Sequence, residues 1–134
     1  MIELATKQIK ADEGLRLSPY ECSAGKLTIG FGRNLEDRGI SLDEAEIMLA
    51  NDIRESISEL STFPWFSGLS ERRQAALVNM HFNIGHARFL GFKRMIAALE
   101  IGDYPQAGAE LLDSKYAQQV RQRARRLATM LVNG

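Results

Sequence analysis

At Gly14 the hydrophobic rhythm of this 134-residue chain changes, and that change restricts the fold more than any other feature. Upstream, Ile2, Ala5 and Ile9 recur at spacings of three and four, the period of an α-helix. Downstream, Leu15, Leu17 and Pro19 alternate with Arg16, Ser18 and Tyr20, the period of a strand, and Pro19 suits a sheet edge. Ser23 to Lys26 reads as a turn, and Leu27-Thr28-Ile29 resumes the extended pattern. A hairpin here brings Cys22 and Thr28 towards the same end. A helix followed at once by a hairpin makes the chain α+β.

The next helical step after Ile9 lands on Glu13, a carboxylate on an apolar stripe. Gly14 then ends the helix. Two effects are expected to raise the pKa of Glu13. It lies at the negative end of the helix dipole, and its place on the stripe takes it partly out of water. A carboxylic acid that keeps its proton near neutral pH suits protonation of a leaving group. The competing reading is a solvated residue of the last helical turn. Gly30-Phe31-Gly32 is only a fragment of a dinucleotide loop and lacks the helix-opening context, so nucleotide binding is set aside.

Further along, residues 33–39 form a polar connection. Ser41 followed by Glu44 is a capping box, and Leu42, Ala45, Leu49, Ile53, Ile57 and Leu60 carry one stripe through residues 42–60. Pro64, Trp65 and Phe66 make an aromatic turn, and a helix begins at Leu69-Ser70-Glu71. Apolar residues from Ala75 to Ile84 fall on all sides, which predicts a helix buried all round, with Phe82 in the core. His81 has no ligand partner at helical spacing and reads as structural, and His86 after Gly85 needs no special role. Two short helices are expected at 93–101 and 104–113. A last helix follows, with Tyr116, Val120, Ala124, Leu127 and Leu131 facing inward.

Composition narrows the function classes. The formal net charge is zero, so no strong field draws the chain to nucleic acid. One cysteine allows no internal disulfide. No apolar run is long enough to span a bilayer, and residues 1–14 hold charges throughout with no apolar signal-peptide core.

Glu13, eight residues, Cys22, five residues and Thr28 together form a pattern that resembles the catalytic signature of the phage-type lysozymes (endolysins) related to phage T4 lysozyme. That signature has Asp or Cys at its second position. The match continues in order through DEGLRL, TIGFGR, SLDEAE and ND, then RRQAALVNMHFNIG, GF and RARR, over nearly the whole chain. The resemblance implies a lysozyme-like α+β fold in a single domain over 1–134. Its small hairpin lobe would span about 13–41 and its connecting helix about 42–60. The larger helical lobe would take about 61–134 plus the N-terminal helix, with the cleft between the lobes.

The resemblance also implies an activity: inverting hydrolysis of the β-1,4 bond between N-acetylmuramic acid and N-acetylglucosamine in peptidoglycan, without cofactor or metal. Glu13 is then the general acid, Cys22 stands where most relatives have Asp, and Thr28 holds the water. Gly32, Phe82, Asn83, Lys115 and Arg123 fall at substrate positions, and Arg33, Asp52, Asn79 and Arg126 at supporting ones. An Arg33–Asp52 ion pair is expected to lock the hairpin to the long helix. Cys22 reads as a weak acceptor, as a thiolate if Arg16 or Arg33 lies close, or as a small buried hydrophobe. The expected protein is a monomer made in the host cytoplasm, without stable membrane insertion. It would reach the wall after a holin opens the membrane. Two other classes stay open: a lytic transglycosylase giving anhydro products, and a non-catalytic helical module that binds through the RQRARR face.

Overall fold

A computed structural model describes residues Met1 to Gly134. The chain forms two compact units, Met1–Ile47 and Met48–Gly134. The first begins with helix α1 (Ile2–Glu13) and continues into strands β1 (Arg16–Glu21), β2 (Leu27–Gly30) and β3 (Arg33–Asn34). These pair antiparallel in the order β1-β2-β3. The short helix α2 (Leu35–Arg38) follows, and then α3 (Leu42–Leu60), which starts in the first unit and ends in the second. The second unit adds α4 (Glu71–Ile84), α5 (His86–Leu90), α6 (Lys93–Glu100), α7 (Tyr104–Leu112), α8 (Lys115–Gln119) and α9 (Arg121–Asn133).

Local chemistry sets most boundaries. At the start of α3 the Ser41 hydroxyl accepts from the Glu44 N–H at 3.1 Å, and the Glu44 carboxylate accepts from the Ser41 N–H at 2.9 Å. This is the capping box the sequence predicted. Ser70, Asp103 and Ser114 cap α4, α7 and α8 in the same way, each accepting an N–H three residues on. Asn34 caps α2, and the Glu36 carboxylate of that helix accepts from the Leu27 N–H at 2.8 Å. The turn after the hairpin is thereby tied back onto β2.

The structure departs from the sequence expectations at four places. The N-terminal helix belongs with the hairpin unit rather than with the helical one. Helix α4 is one-sided: Ala76, Leu77, Met80, His81 and Ile84 are buried, whereas Ala75 and Phe82 are exposed. Apolar composition on every side did not translate into burial on every side, and Phe82 is not a core residue. The last helix is broken at Val120, which sits at φ −124° and ψ 44° between α8 and α9. Val120 is β-branched, and such side chains hold a helical backbone less readily. Finally, β3, α2 and α5 are short elements whose length leaves too few residues for a period to register.

The core of the second unit joins Leu60 of α3 to Leu77 and Met80 of α4, Phe89 of α5, Met95 and Leu99 of α6, Leu111 of α7 and Leu131 of α9. The aromatic turn covers it, with Phe63 stacked on Trp65 at 4.9 Å and tilted against Phe89 at 6.0 Å. Arg73 anchors the chain's end. Its Nε donates to the Leu131 carbonyl at 2.7 Å, its Nη2 donates to that of Val132 at 3.1 Å, and its guanidinium lies over the Tyr104 ring. These bonds satisfy carbonyls that the last turn of α9 leaves without helical partners.

Helices α7 and α9 meet at Gly108, where a Cβ would come within 2.6 Å of Val132 Cγ2 and 3.3 Å of the Ala128 carbonyl. Gly108→Ala gains about 1 kcal/mol of helix propensity. It also meets a stiff β-branched neighbour, and overpacking costs about 1–3 kcal/mol. A net loss of about 1 kcal/mol is expected, read as a lower midpoint in urea denaturation. A midpoint at or above the parent's would contradict this packing.

Candidate active site

Glu13, Cys22, Thr28 and Gly32 all lie in the first unit, and local pairing orders them. In the hairpin Thr28 pairs with Tyr20, and Glu21 pairs with Leu27. The Cys22 N–H donates to the Lys26 carbonyl at 2.9 Å, and the Gly25 N–H closes the turn onto the Cys22 carbonyl at 2.8 Å. Alternate residues share a face of a strand. Tyr20 and Cys22 are therefore on one face with Thr28, and Cys22 and Thr28 are diagonal neighbours there. Thr28 is buried and Cys22 half-buried.

Glu13 ends α1, and the Gly14 N–H returns to the Lys10 carbonyl at 3.1 Å. The carboxylate rests on the turn after β2. A Cβ at Gly32 would lie 2.8 Å from Glu13 Oε2 and 3.0 Å from its Cδ. Gly32 also has φ +79°, which disfavours a larger residue there, and a side chain at this position would displace the Glu13 carboxylate. Lys10 reinforces the seat, with its ammonium 5.2 Å from the Phe31 ring centre. Glu13 is exposed, contrary to the expectation that it is partly withdrawn from water, and no residue of α1 is buried.

The Cys22 thiol is held below its ordinary pKa. The main cause is the Lys26 backbone N–H, followed by that of Ala24 and then the Thr28 hydroxyl. Donors aimed at sulfur favour the thiolate. The Thr28 hydroxyl has one proton and also donates to the Lys26 carbonyl at 2.9 Å, so it serves one acceptor at a time. Neither arginine considered from sequence acts on the thiol. Arg16 lies over the Tyr20 ring at 5.1 Å, and Arg33 is engaged elsewhere.

Arg33 pairs with Glu44, not with Asp52. Its Nη1 donates to Glu44 Oε1 at 2.9 Å and to the Gly39 carbonyl at 3.2 Å, while its Nη2 meets Glu44 Oε2 at 2.8 Å. Asp52 lies eight residues further along α3, roughly 12 Å up the helix axis. The acid that Arg33 meets is the one in the first turn of α3. Asp52 is exposed and instead lines a pocket of the second unit. The fork holds Glu44 down to about 2, with the Ser41 N–H and hydroxyl contributing after Arg33.

The remaining residues singled out from sequence lie in the second unit. Arg123 Nε donates to Asn79 Oδ1 at 2.8 Å, which joins α9 to α4. Phe82 and Asn83 are exposed on α4, Lys115 is exposed at the start of α8, and Arg126 is exposed on α9. His81 and His86, which looked unrelated in sequence, meet at 3.0 Å. Helical spacing gives no sign of that meeting, because the turn at Gly85 creates it.

A mostly helical chain with one small three-stranded antiparallel sheet has the make-up of a lysozyme-like α+β fold. The chain belongs to the phage lysozyme family, whose sequence profile matches residues 10–129. It is a glycoside hydrolase that lyses peptidoglycan. An endolysin of Acyrthosiphon pisum secondary endosymbiont phage 1 is 35% identical over 108 residues, covering 78% of this chain and 72% of that protein. The pre-baseplate central spike protein of Enterobacteria phage T4 is 26% identical over 96% of this chain, which spans only 27% of the spike protein. A probable T4-type lysozyme of Dictyostelium discoideum is 25% identical over the whole chain and 96% of its own length.

The Arg33–Glu44 pair gives a pH test. The Glu44 carboxyl titrates lower in the folded chain than its ordinary 4.5, so its contribution is fully present above about pH 4.5. It is lost as pH falls towards about 2. Glu44→Gln keeps an acceptor for the Ser41 cap but removes the charge. The stability difference between wild type and this variant should be constant near neutrality and vanish on acidification, as read by urea denaturation at several pH values. A difference independent of pH would contradict the pairing.

Proposed function

We propose that the chain is an inverting muramidase with Glu13 as its general acid. It would cleave the β-1,4 bond from N-acetylmuramic acid to N-acetylglucosamine. The reading rests chiefly on the Glu13 carboxylate being seated against Gly32, in the turn that follows the strand carrying Thr28. Glu13 gives its proton to the glycosidic oxygen as the bond from the anomeric carbon breaks. A water attacks the opposite face of the sugar, hydrogen-bonded by Thr28. Cys22, in the thiolate form that its lowered pKa favours, takes the water's proton and becomes the thiol, in place of the more usual aspartate. The bound glycan itself covers Glu13 and excludes bulk water from it.

In the second unit Phe82, Asn83, Lys115 and Arg123 are proposed to contact glycan or peptide stem, with Asn79 orienting the Arg123 guanidinium. Asp52 and Arg126 are proposed as supporting residues. No helix is long and apolar enough to cross a membrane. The enzyme is proposed to be a monomer synthesised in the host cytoplasm that meets the wall once a holin opens the membrane.

The test is digestion of purified peptidoglycan with products read by mass. Wild type should release reducing muropeptides, and Glu13→Gln should lose at least about a hundredfold in rate. Cys22→Asp should retain activity and Cys22→Ser should lose most of it. Anhydro products would instead identify a lytic transglycosylase, and full activity of Glu13→Gln would remove the acid assignment. Full activity of Cys22→Ser would remove the base assignment and leave Thr28 as the group that positions the water.

A further inference from the structure

We propose that Glu59, His81 and His86 form a binding site for one divalent transition-metal ion of the zinc class, in the second unit and using none of Glu13, Cys22 and Thr28. Three elements supply the donors. Glu59 comes from the last turn of α3, His81 from the last turn of α4 and His86 from the first residue of α5. Their ligand atoms all lie within 4.8 Å of one another. His81 Nε2 is 3.0 Å from His86 Nδ1, and His86 Nδ1 is 3.4 Å from Glu59 Oε2. A tetrahedral zinc ion with bonds of about 2.0–2.1 Å holds its ligands roughly 3.3 Å apart. The side chains therefore stand near ligand spacing, and a small outward shift of the two rings admits the ion.

The surroundings suit that chemistry. His81 is buried, and its other ring nitrogen, Nδ1, is 3.0 Å from the Ser56 hydroxyl, which is also buried. With Nδ1–H donating to Ser56, the Nε2 lone pair faces His86 and Glu59. Such an outer partner commonly fixes a metal-binding imidazole. His81 is also packed against Phe89, at 5.4 Å between ring centres, which limits ring rotation. Gly85 has φ +83° and ends α4, and His86 at the start of α5 lies against His81 of the last turn of α4. The open pocket over the cluster holds about 340 Å³, and Asp52 and Glu55 line it beside Glu59 and the two histidines. Its charged lining is three carboxylates with no lysine or arginine, which favours a cation. Two imidazoles and one carboxylate select a borderline metal such as zinc over magnesium or calcium, with water completing the coordination.

The test is zinc binding by the full chain after metal stripping, measured by titration calorimetry, with cobalt(II) as a spectroscopic substitute. Wild type should bind one equivalent. Glu59→Gln and His86→Gln, both at partly exposed positions, should bind at least about tenfold more weakly. Ser56→Ala should also weaken binding while leaving the fold intact by circular dichroism. The cobalt spectrum should show nitrogen and oxygen ligation without a sulfur charge-transfer band. Failure to bind would overturn the site and leave the two histidines as a hydrogen-bonded pair. Equal affinity in both variants, or a cobalt–thiolate band marking Cys22 as the ligand, would overturn it as well. None of these readouts depends on lysis.

Discussion

The Glu13 carboxylate lies in the space left by the missing side chain of residue 32. A Cβ there would stand 2.8 Å from Oε2, inside the distance at which atoms repel. Much of the first unit bears on that contact. Gly14 ends α1 so that the carboxylate stops at the right turn. Lys10 grips Phe31 between the two glycines, and the pairing of β1 with β2 determines where the turn falls. The Arg33 fork on Glu44 fastens the strand that leaves the turn to the start of α3. Each interaction is small alone, and an exposed ion pair contributes little to stability. Their joint effect is positional.

In the proposed mechanism the hairpin face supplies the chemistry that a second carboxylate supplies elsewhere. A thiol is a poor acceptor while protonated, and here backbone N–H groups of the turn lower its pKa. The turn that reverses the chain is also the turn that tunes the sulfur. No arginine is needed for this, and both candidates have other partners.

Legibility in the sequence followed the range of the interactions. The start of α3 was readable because Ser41 and Glu44 cap within one turn, and so was the start of α4 at Ser70. The hairpin was readable because its period changes abruptly at Gly14. The Glu13-Cys22-Thr28 spacing identified the family because such a pattern is short and specific. Interactions that depend on tertiary placement were not readable. Arg33 had two acids on one helix to choose from, and only geometry selects Glu44. The exposure of Glu13 and Phe82 could not be inferred from a stripe, since a stripe states which residues share a face and not what covers it. The meeting of His81 and His86 requires the helix to end at Gly85, and Glu59 joins them from an earlier helix.

The most direct test of the Glu13 seat compares Gly32→Ala with Gly30→Ala on purified peptidoglycan. Both glycines have positive φ, +79° and +70°, so both variants carry backbone strain. Only position 32 places the new methyl against Glu13, because nothing lies within 4 Å of a Cβ at position 30. A displacement of about 1 Å costs on the order of a hundredfold in rate. Gly32→Ala should therefore lose turnover by about that factor beyond Gly30→Ala, at comparable thermal stability. Equal turnover in the two variants would show that the carboxylate's position against Gly32 is not what catalysis depends on.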